Sequence, residues 1–180
     1  MSRLDSERLF LRPPEERDAK VLALLANDYD IVKNTSRMPW PYAESDARAY
    51  IARSAEERAL GTEFTFVIAE KGVDAPIGSI GLRLNNGTFE FGYWLGKDFW
   101  GQGYATEAAH RLLAFAFDAL RADSVWAGYF FDNPASGRVL QKLGCRAAGS
   151  VRRYSVARGQ SVLCHGTTLT RADFRRKKAA

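Results

Sequence analysis

From Phe64 to Ala69 large apolar residues at Phe64, Phe66 and Ile68 alternate with Thr65, Val67 and Ala69, a period of two that predicts a strand. Gly72 and Pro76 bracket a turn, and a second strand over 77–84 sets Ile80, Leu82 and Leu84 on one face. Asn85-Asn86-Gly87 is a hairpin turn, because Asn and Gly tolerate positive φ. A third strand, 88–95, completes an antiparallel meander. Upstream, Leu9-Phe10-Leu11 lies between Arg8 and Arg12 and is closed by Pro13-Pro14, which predicts a short first strand. Asp18 is expected to cap a helix that uses Leu22 and Leu25, and Ser45 a second that uses Tyr50, Ile51 and Ala55. Between them, Met38-Pro39-Trp40-Pro41-Tyr42 excludes regular structure, since each proline removes a donor and fixes φ.

After residue 100 the period changes to that of a helix. Ala109, Leu112, Leu113, Ala116 and Leu120 mark one buried face. A strand follows over 125–130, then a helix over about 135–143 that stops at Gly144. Strands over about 146–156 and 161–170 turn at Arg158-Gly159. The order β-α-α-β-β-β-α-β-α-β-β is that of an α/β chain with no repeat and no linker.

Composition narrows this picture. The chain has 180 residues, 46% of them hydrophobic and 12% aromatic, enough for one sizeable core and too short for two comfortable domains. We expect a single domain over 1–174 and a basic, frayed tail over 175–180. The N-terminus carries no signal-peptide pattern, and nowhere do about 18 apolar residues run together. Two cysteines, Cys145 and Cys164, cannot make a disulfide scaffold. The expectation is a cytoplasmic protein away from membranes; oligomeric state is not legible. The net charge of +5 hides an asymmetry: residues 1–132 hold 15 basic and 20 acidic residues, whereas 133–180 hold 11 basic residues and one acid, Asp173. No basic motif interleaved with aromatics suggests nucleic acid. His110 and His165 have no metal-ligand spacing, so no metal is expected.

The most informative stretch is Trp100-Gly101-Gln102-Gly103-Tyr104-Ala105-Thr106-Glu107-Ala108. It joins a strand to a helix, where glycines let backbone N–H groups converge and the helix start adds partial positive charge. That suits a pyrophosphate, though a ligand-free tight turn has the same sequence. A nicotinamide fingerprint would need a third glycine where Thr106 stands. A P-loop would need Gly-Lys-Ser/Thr, which is missing.

Together with Phe91-Gly92-Tyr93-Trp94-Leu95, Asn133-Pro134-Ala135-Ser136 and Leu140-Gln141-Lys142-Leu143-Gly144, this stretch resembles the Gcn5-related N-acetyltransferases. The similarity is greatest to the branch containing bacterial ribosomal-protein N-terminal acetyltransferases, and it covers about residues 5–175. It implies an α/β fold with a mixed, mostly antiparallel central sheet, whose strands 4 and 5 splay apart between flanking helices. It also implies acetyl-CoA as donor and an amine as acceptor, attacking the thioester directly. Acceptors of the branch include protein N-termini; small amines or antibiotics, and a CoA-binding module without transfer activity, are the alternatives.

The resemblance implies roles residue by residue. Gly101, Gly103, Ala105 and Thr106 would hold the pyrophosphate through backbone amides, with Gln102 and Tyr104 lining the same turn. Trp100 stands where the wider superfamily has Gln or Arg, so only the backbone contacts carry over. Trp94 and Leu95 would offer backbone groups to the pantetheine arm, and an amide near Leu95 could polarise the thioester carbonyl. Asn133 would contact the cofactor arm, or cap the next helix. Ser136 would give a hydrogen bond to the CoA sulfur. Glu90, a carboxylate in a mostly apolar strand, is the candidate base. Trp40 and Tyr42 are the candidate acceptor wall. Arg138 and Lys142 are expected near CoA phosphates, and Arg152, Arg153 and Arg158 near an acidic acceptor.

Overall fold

The computed structural model describes residues 3–179, with side chains as far as Arg176. Eight strands form one sheet in the order β1-β2-β3-β4-β5-β6-β8-β7. In chain order they are β1 (Leu4–Asp5), β2 (Leu9–Arg12), β3 (Glu63–Glu70), β4 (Pro76–Asn85), β5 (Thr88–Leu95), β6 (Ser124–Phe130), β7 (Arg146–Ser155) and β8 (Gln160–Thr170). The helices are α1 (Ala19–Ala26), α2 (Tyr29–Val32), α3 (Glu44–Ala59), α4 (Tyr104–Asp118), α5 (Pro134–Leu143) and α6 (Arg171–Ala179). Every neighbouring pair is antiparallel except β5–β6. The expected meander is β3-β4-β5. Its hairpin turns on Asn86 and Gly87, both at positive φ, and this fixes the register that pairs Asn85 with Thr88.

Strand alternation sorts the core into two layers. Leu9, Leu11, Phe66, Ile68, Ile80, Leu82 and Phe91 meet the Ala109/Leu112/Leu113/Ala116 face of α4. Val67 faces the other way, onto Leu22 of α1 and Ala47 and Ile51 of α3.

The segment around Pro39 and Pro41 holds no helix or strand, as expected. Several local expectations change. The Asp18 side chain does not cap α1; it is 2% exposed, accepts from the Glu15 N–H at 2.7 Å and takes a two-point ion pair from Arg12 at 2.7 and 2.8 Å. Ser45 lies inside the first turn of α3, where Asp46 accepts from the Ala43 N–H at 2.8 Å. Ala55 faces outward, and Ser54 takes the buried position by donating its hydroxyl to Ile51 O. The described part of the expected tail is helical as far as Ala179, because Phe174 buries against His110 and Phe117 of α4 and Asp173 accepts from Thr170. Ala180 lies outside the described residues. Elements β1, α2 and α6 have no counterpart in the sequence pattern, being too short or too polar to show a period.

Candidate active site

The site begins where the sheet comes apart. β4 and β5 pair from Asn85–Thr88 to Gly78–Leu95, but β5 and β6 share only the pairs Phe89–Val125 and Glu90–Trp126. Beyond them the two strands diverge; these are the strands expected to splay, renumbered because β1 precedes them. The Gly96 N–H donates to Ile77 O, which fixes the parity of the β4–β5 ladder. Backbone groups of Trp94 therefore face β4, while those of Phe91, Tyr93 and Leu95 face the opening. This corrects half of the expectation at Trp94 and Leu95. The Leu95 carbonyl is taken by the Trp100 indole N–H at 2.8 Å, which leaves its N–H facing the gap. The Trp94 side chain packs toward the α1/α3 layer.

A cavity of about 1130 Å³ follows the divergence and passes from one face of the sheet to the other. At one end lies the glycine turn. Gly101 and Gly103 sit at φ +75° and +83°, in the left-handed region that side chains avoid. Gly103 is the residue before α4, so the turn leads straight into the helix start. Among the described residues no backbone acceptor meets the N–H groups of Gly101, Gly103, Ala105 or Thr106. Neighbours pin the turn: Arg8 donates to Gln102 O at 3.0 Å and to Glu107 at 2.8 Å, and its guanidinium lies 4.5 Å over the Tyr104 ring. The Tyr104 hydroxyl donates to Glu70, which together with burial raises its pKa. Tyr104 thus anchors the turn inward. The Gln102 side chain folds back to donate to Asp98 O and does not line the cavity.

Where β5 and β6 have parted, α5 presents Ser136. Asn133 caps that helix, accepting from the Ser136 N–H at 3.2 Å, so the capping alternative is realised. The Tyr93 hydroxyl donates to Ser136 Oγ at 3.3 Å, and burial pushes the Tyr93 phenol up. Alternation along β5 puts Tyr93 on the α4/α5 side, opposite Glu90, a placement the period of two in the sequence already carries.

Glu90 lies at the last shared β5–β6 pair, on the opposite face. Its setting is not the apolar one expected of a base. Arg153 of β7 grips both carboxylate oxygens, one contact at 3.1 Å, and stacks 4.8 Å over Trp126. Arg158 is spent likewise on Asp132, Lys33 O and Asn34, and Arg152 donates to Ser161 O. The three arginines expected to face an acidic acceptor thus serve internal contacts. Arg138 and Lys142 do line the cavity.

Where the acceptor wall was expected, Tyr42 lines the cavity, is 7% exposed and has a pKa raised by burial. Trp40 does not line it; its ring packs edge-on against Tyr29 at 5.7 Å, holding the loop to α2. Sequence reasoning missed a polar group here. Arg37 forks onto Glu63 at 2.8 and 3.0 Å, and the Tyr50 and Ser79 hydroxyls meet at 2.6 Å. Burial would push the Glu63 carboxyl up, but the hydrogen bonds and charge of Arg37, helped by Arg83, hold it below its usual range.

A family model described as an acetyltransferase (GNAT) domain matches residues 8–146. The chain belongs to this family of N-acetyltransferases. It is 30% identical over 177 residues to the uncharacterized N-acetyltransferase p20 of Bacillus licheniformis, covering 97% of this chain and 99% of the relative. The fold is that of Mycobacterium smegmatis RimJ, solved in complex with CoA-disulfide: TM-score 0.85 at 21% identity, over 99% of this chain and 93% of that one. It is also that of the microcin C7 self-immunity acetyltransferase MccE, solved with acetyl-CoA and AMP: TM-score 0.79 at 23% identity, over 91% and 93% of the two chains. Among the described residues no helix is long and apolar enough to cross a membrane.

Proposed function

We propose that this acetyltransferase moves an acetyl group from acetyl-CoA to the primary amine of a protein N-terminus. The observation that carries the reading is the divergence of β5 from β6, with the open glycine turn at one end and the Tyr93–Ser136 pair inside it. The N–H groups of Gly101, Gly103, Ala105 and Thr106 suit a pyrophosphate, and Arg138 and Lys142 add positive charge beside it. The exposed edge of β5 accepts an extended pantetheine arm as a further strand would. The Leu95 N–H, unlike its carbonyl, remains to polarise the thioester C=O.

In the transfer the amine nitrogen bonds to the thioester carbon as the C–S bond breaks. Ser136, oriented by Tyr93 and Asn133, donates a hydrogen bond to the departing sulfur. The ammonium yields one proton, and the products are the N-acetyl amine, the free thiol and that proton. Glu90, already held by Arg153, acts as an anionic partner for the incoming ammonium, and the proton passes to water in the cavity. Tyr154 supports a polymeric acceptor: it lines the cavity yet is 56% exposed, so that side opens to solvent along edge strand β7.

The test is thioester consumption with a panel of N-terminal peptides and small amines, joined to calorimetry of CoA on Gly103→Val. Transfer to peptides and loss of CoA affinity in the variant are expected. Undiminished affinity would overturn the pyrophosphate assignment, and transfer confined to small amines would overturn the peptide acceptor.

A further inference from the structure

One row of side chains crosses the acceptor face of the sheet. Glu63 of β3 stands opposite Arg83 of β4, and Arg83 opposite Glu90 of β5, so the three share a face. Arg37 grips Glu63 from one end of the row and Arg153 grips Glu90 from the other. The signs alternate: plus, minus, plus, minus, plus. All five residues line the cavity.

The next row is made of small residues. Thr65 stands opposite Gly81, and Gly81 opposite Gly92. A Cβ added at Gly92 would meet nothing within 4 Å, so the space above it is open. The row beyond holds Ser79, bonded to Tyr50, and Trp94. The result is a hollow in the sheet, walled on one side by charges and on the other by Tyr50, Ser79 and Trp94.

The charges in that wall are unequally satisfied. Each glutamate already has an arginine fork, and Arg37 and Arg153 each have a carboxylate of their own. Among the described residues Arg83 has a single, long ion pair, its Nε 3.8 Å from the Glu63 Oε2 that Arg37 already holds, and its side chain is 52% exposed. A guanidinium presents five donors and matches a carboxylate in two-point geometry. An incoming anion is therefore drawn to Arg83, while an ammonium is drawn to the glutamates flanking it.

Resting on the proposed acetyl transfer, we infer that this hollow seats the acceptor and selects an amine that also carries a side-chain carboxylate, bound by Arg83. Gly92 supplies the room and Arg83 the selection. Acidic residues near a peptide's N-terminus provide such a carboxylate, and so does a free acidic amino acid.

The experiment compares transfer to matched pairs: peptides with Asp or Glu at the first or second position against their Asn or Gln counterparts, and free glutamate against glutamine. In the wild type the acidic member is expected to lead by about tenfold or more in kcat/KM. Arg83→Gln should erase that lead. Gly92→Val, whose Cβ has nothing within 4 Å and which suits a strand, should raise the acceptor KM at least tenfold, with CoA affinity by calorimetry and the melting temperature little changed. Equal rates on acidic and amide partners would overturn the anion site and leave acetyl transfer standing. So would a preference that survives Arg83→Gln, and an unchanged acceptor KM in Gly92→Val would overturn the hollow. Transfer to glutamate but to no peptide would keep the Arg83 site and overturn the protein acceptor. No turnover on any acceptor would overturn both.

Discussion

Arg12 ties β2 to two carboxylates, Asp18 and Asp74. It is 7% exposed, forks onto the buried Asp18, and also donates to Asp74 at 2.7 Å. Removing one member of a buried pair strands the other without water. Arg12→Met should therefore cost about 3–5 kcal/mol in denaturant unfolding, and a loss below about 1 kcal/mol would contradict this role. Glu90 poses a kinetic question at the same scale. Both Glu90 oxygens are already engaged by Arg153, so neither is free for a substrate proton. The rate should rise with pH through the acceptor's own α-amino group, near about 8. Glu90→Gln should lower turnover yet leave that profile in place; loss of its alkaline rise would restore Glu90 as the base. These pairings were hidden in the sequence, because Arg12 and Asp74, or Glu90 and Arg153, lie far apart along it. One was within reach. Counting back from the two-residue hairpin puts Arg83 opposite Glu90 from the sequence alone.

Among elements, those with a clear period were legible: the meander, α4 and its buried stripe, and α5 between Asn133 and the left-handed Gly144. What escaped was held by tertiary contact. α2 has only four residues and is tied to the segment before the glycine turn by Lys97, which reaches Asp28 at 2.8 Å and Asp30 at 2.7 Å. Hydrogen bonds from Lys33 and Lys97 pull the Asp30 carboxyl down to about 2. Its folded value lies below its unfolded one, so the stabilisation is full above about 4 and is lost as pH falls through about 2. The fall in melting temperature between pH 5 and pH 2.5 should be smaller in Asp30→Asn than in the wild type. Packing between strands makes a sharper demand at Gly78, where a Cβ would come within 2.2 Å of Trp94 O and 2.8 Å of Leu95 Cα. Backbone cannot swing aside as a side-chain tip does. Gly78→Ala should cost about 1–3 kcal/mol or more and weaken CoA binding, because it moves the strand whose edge faces the donor. An unaltered melt would show that β4 and β5 have slack.

For the molecule as a whole, the charge asymmetry takes on a different meaning. The basic quarter does not stand apart from the acidic body. Arg153 pairs with Glu90, Arg158 with Asp132 and Arg171 with Asp123, each joining a late cation to an earlier acid. Part of the surplus thus ties the C-terminal segment to the rest of the fold. The four motifs, the glycine turn among them, made the proposed donor side legible from sequence. The acceptor side was not, since its walls come from α2, α3, β3, β4 and β7, which only the fold brings together.

The divergence of β5 and β6 has a last consequence. A central strand lacking its neighbour is unfinished architecture, and a molecule laid along that edge supplies the missing rungs. The donor would then be a building component as well as a reagent. Heat resistance should climb with its concentration, by about 2.7 kcal/mol of added stability at a hundredfold excess over Kd. Amide protons of Tyr93 and Leu95 should slow their exchange with solvent when CoA is added. If they exchange as fast with CoA as without it, the opening is a passage and not a socket.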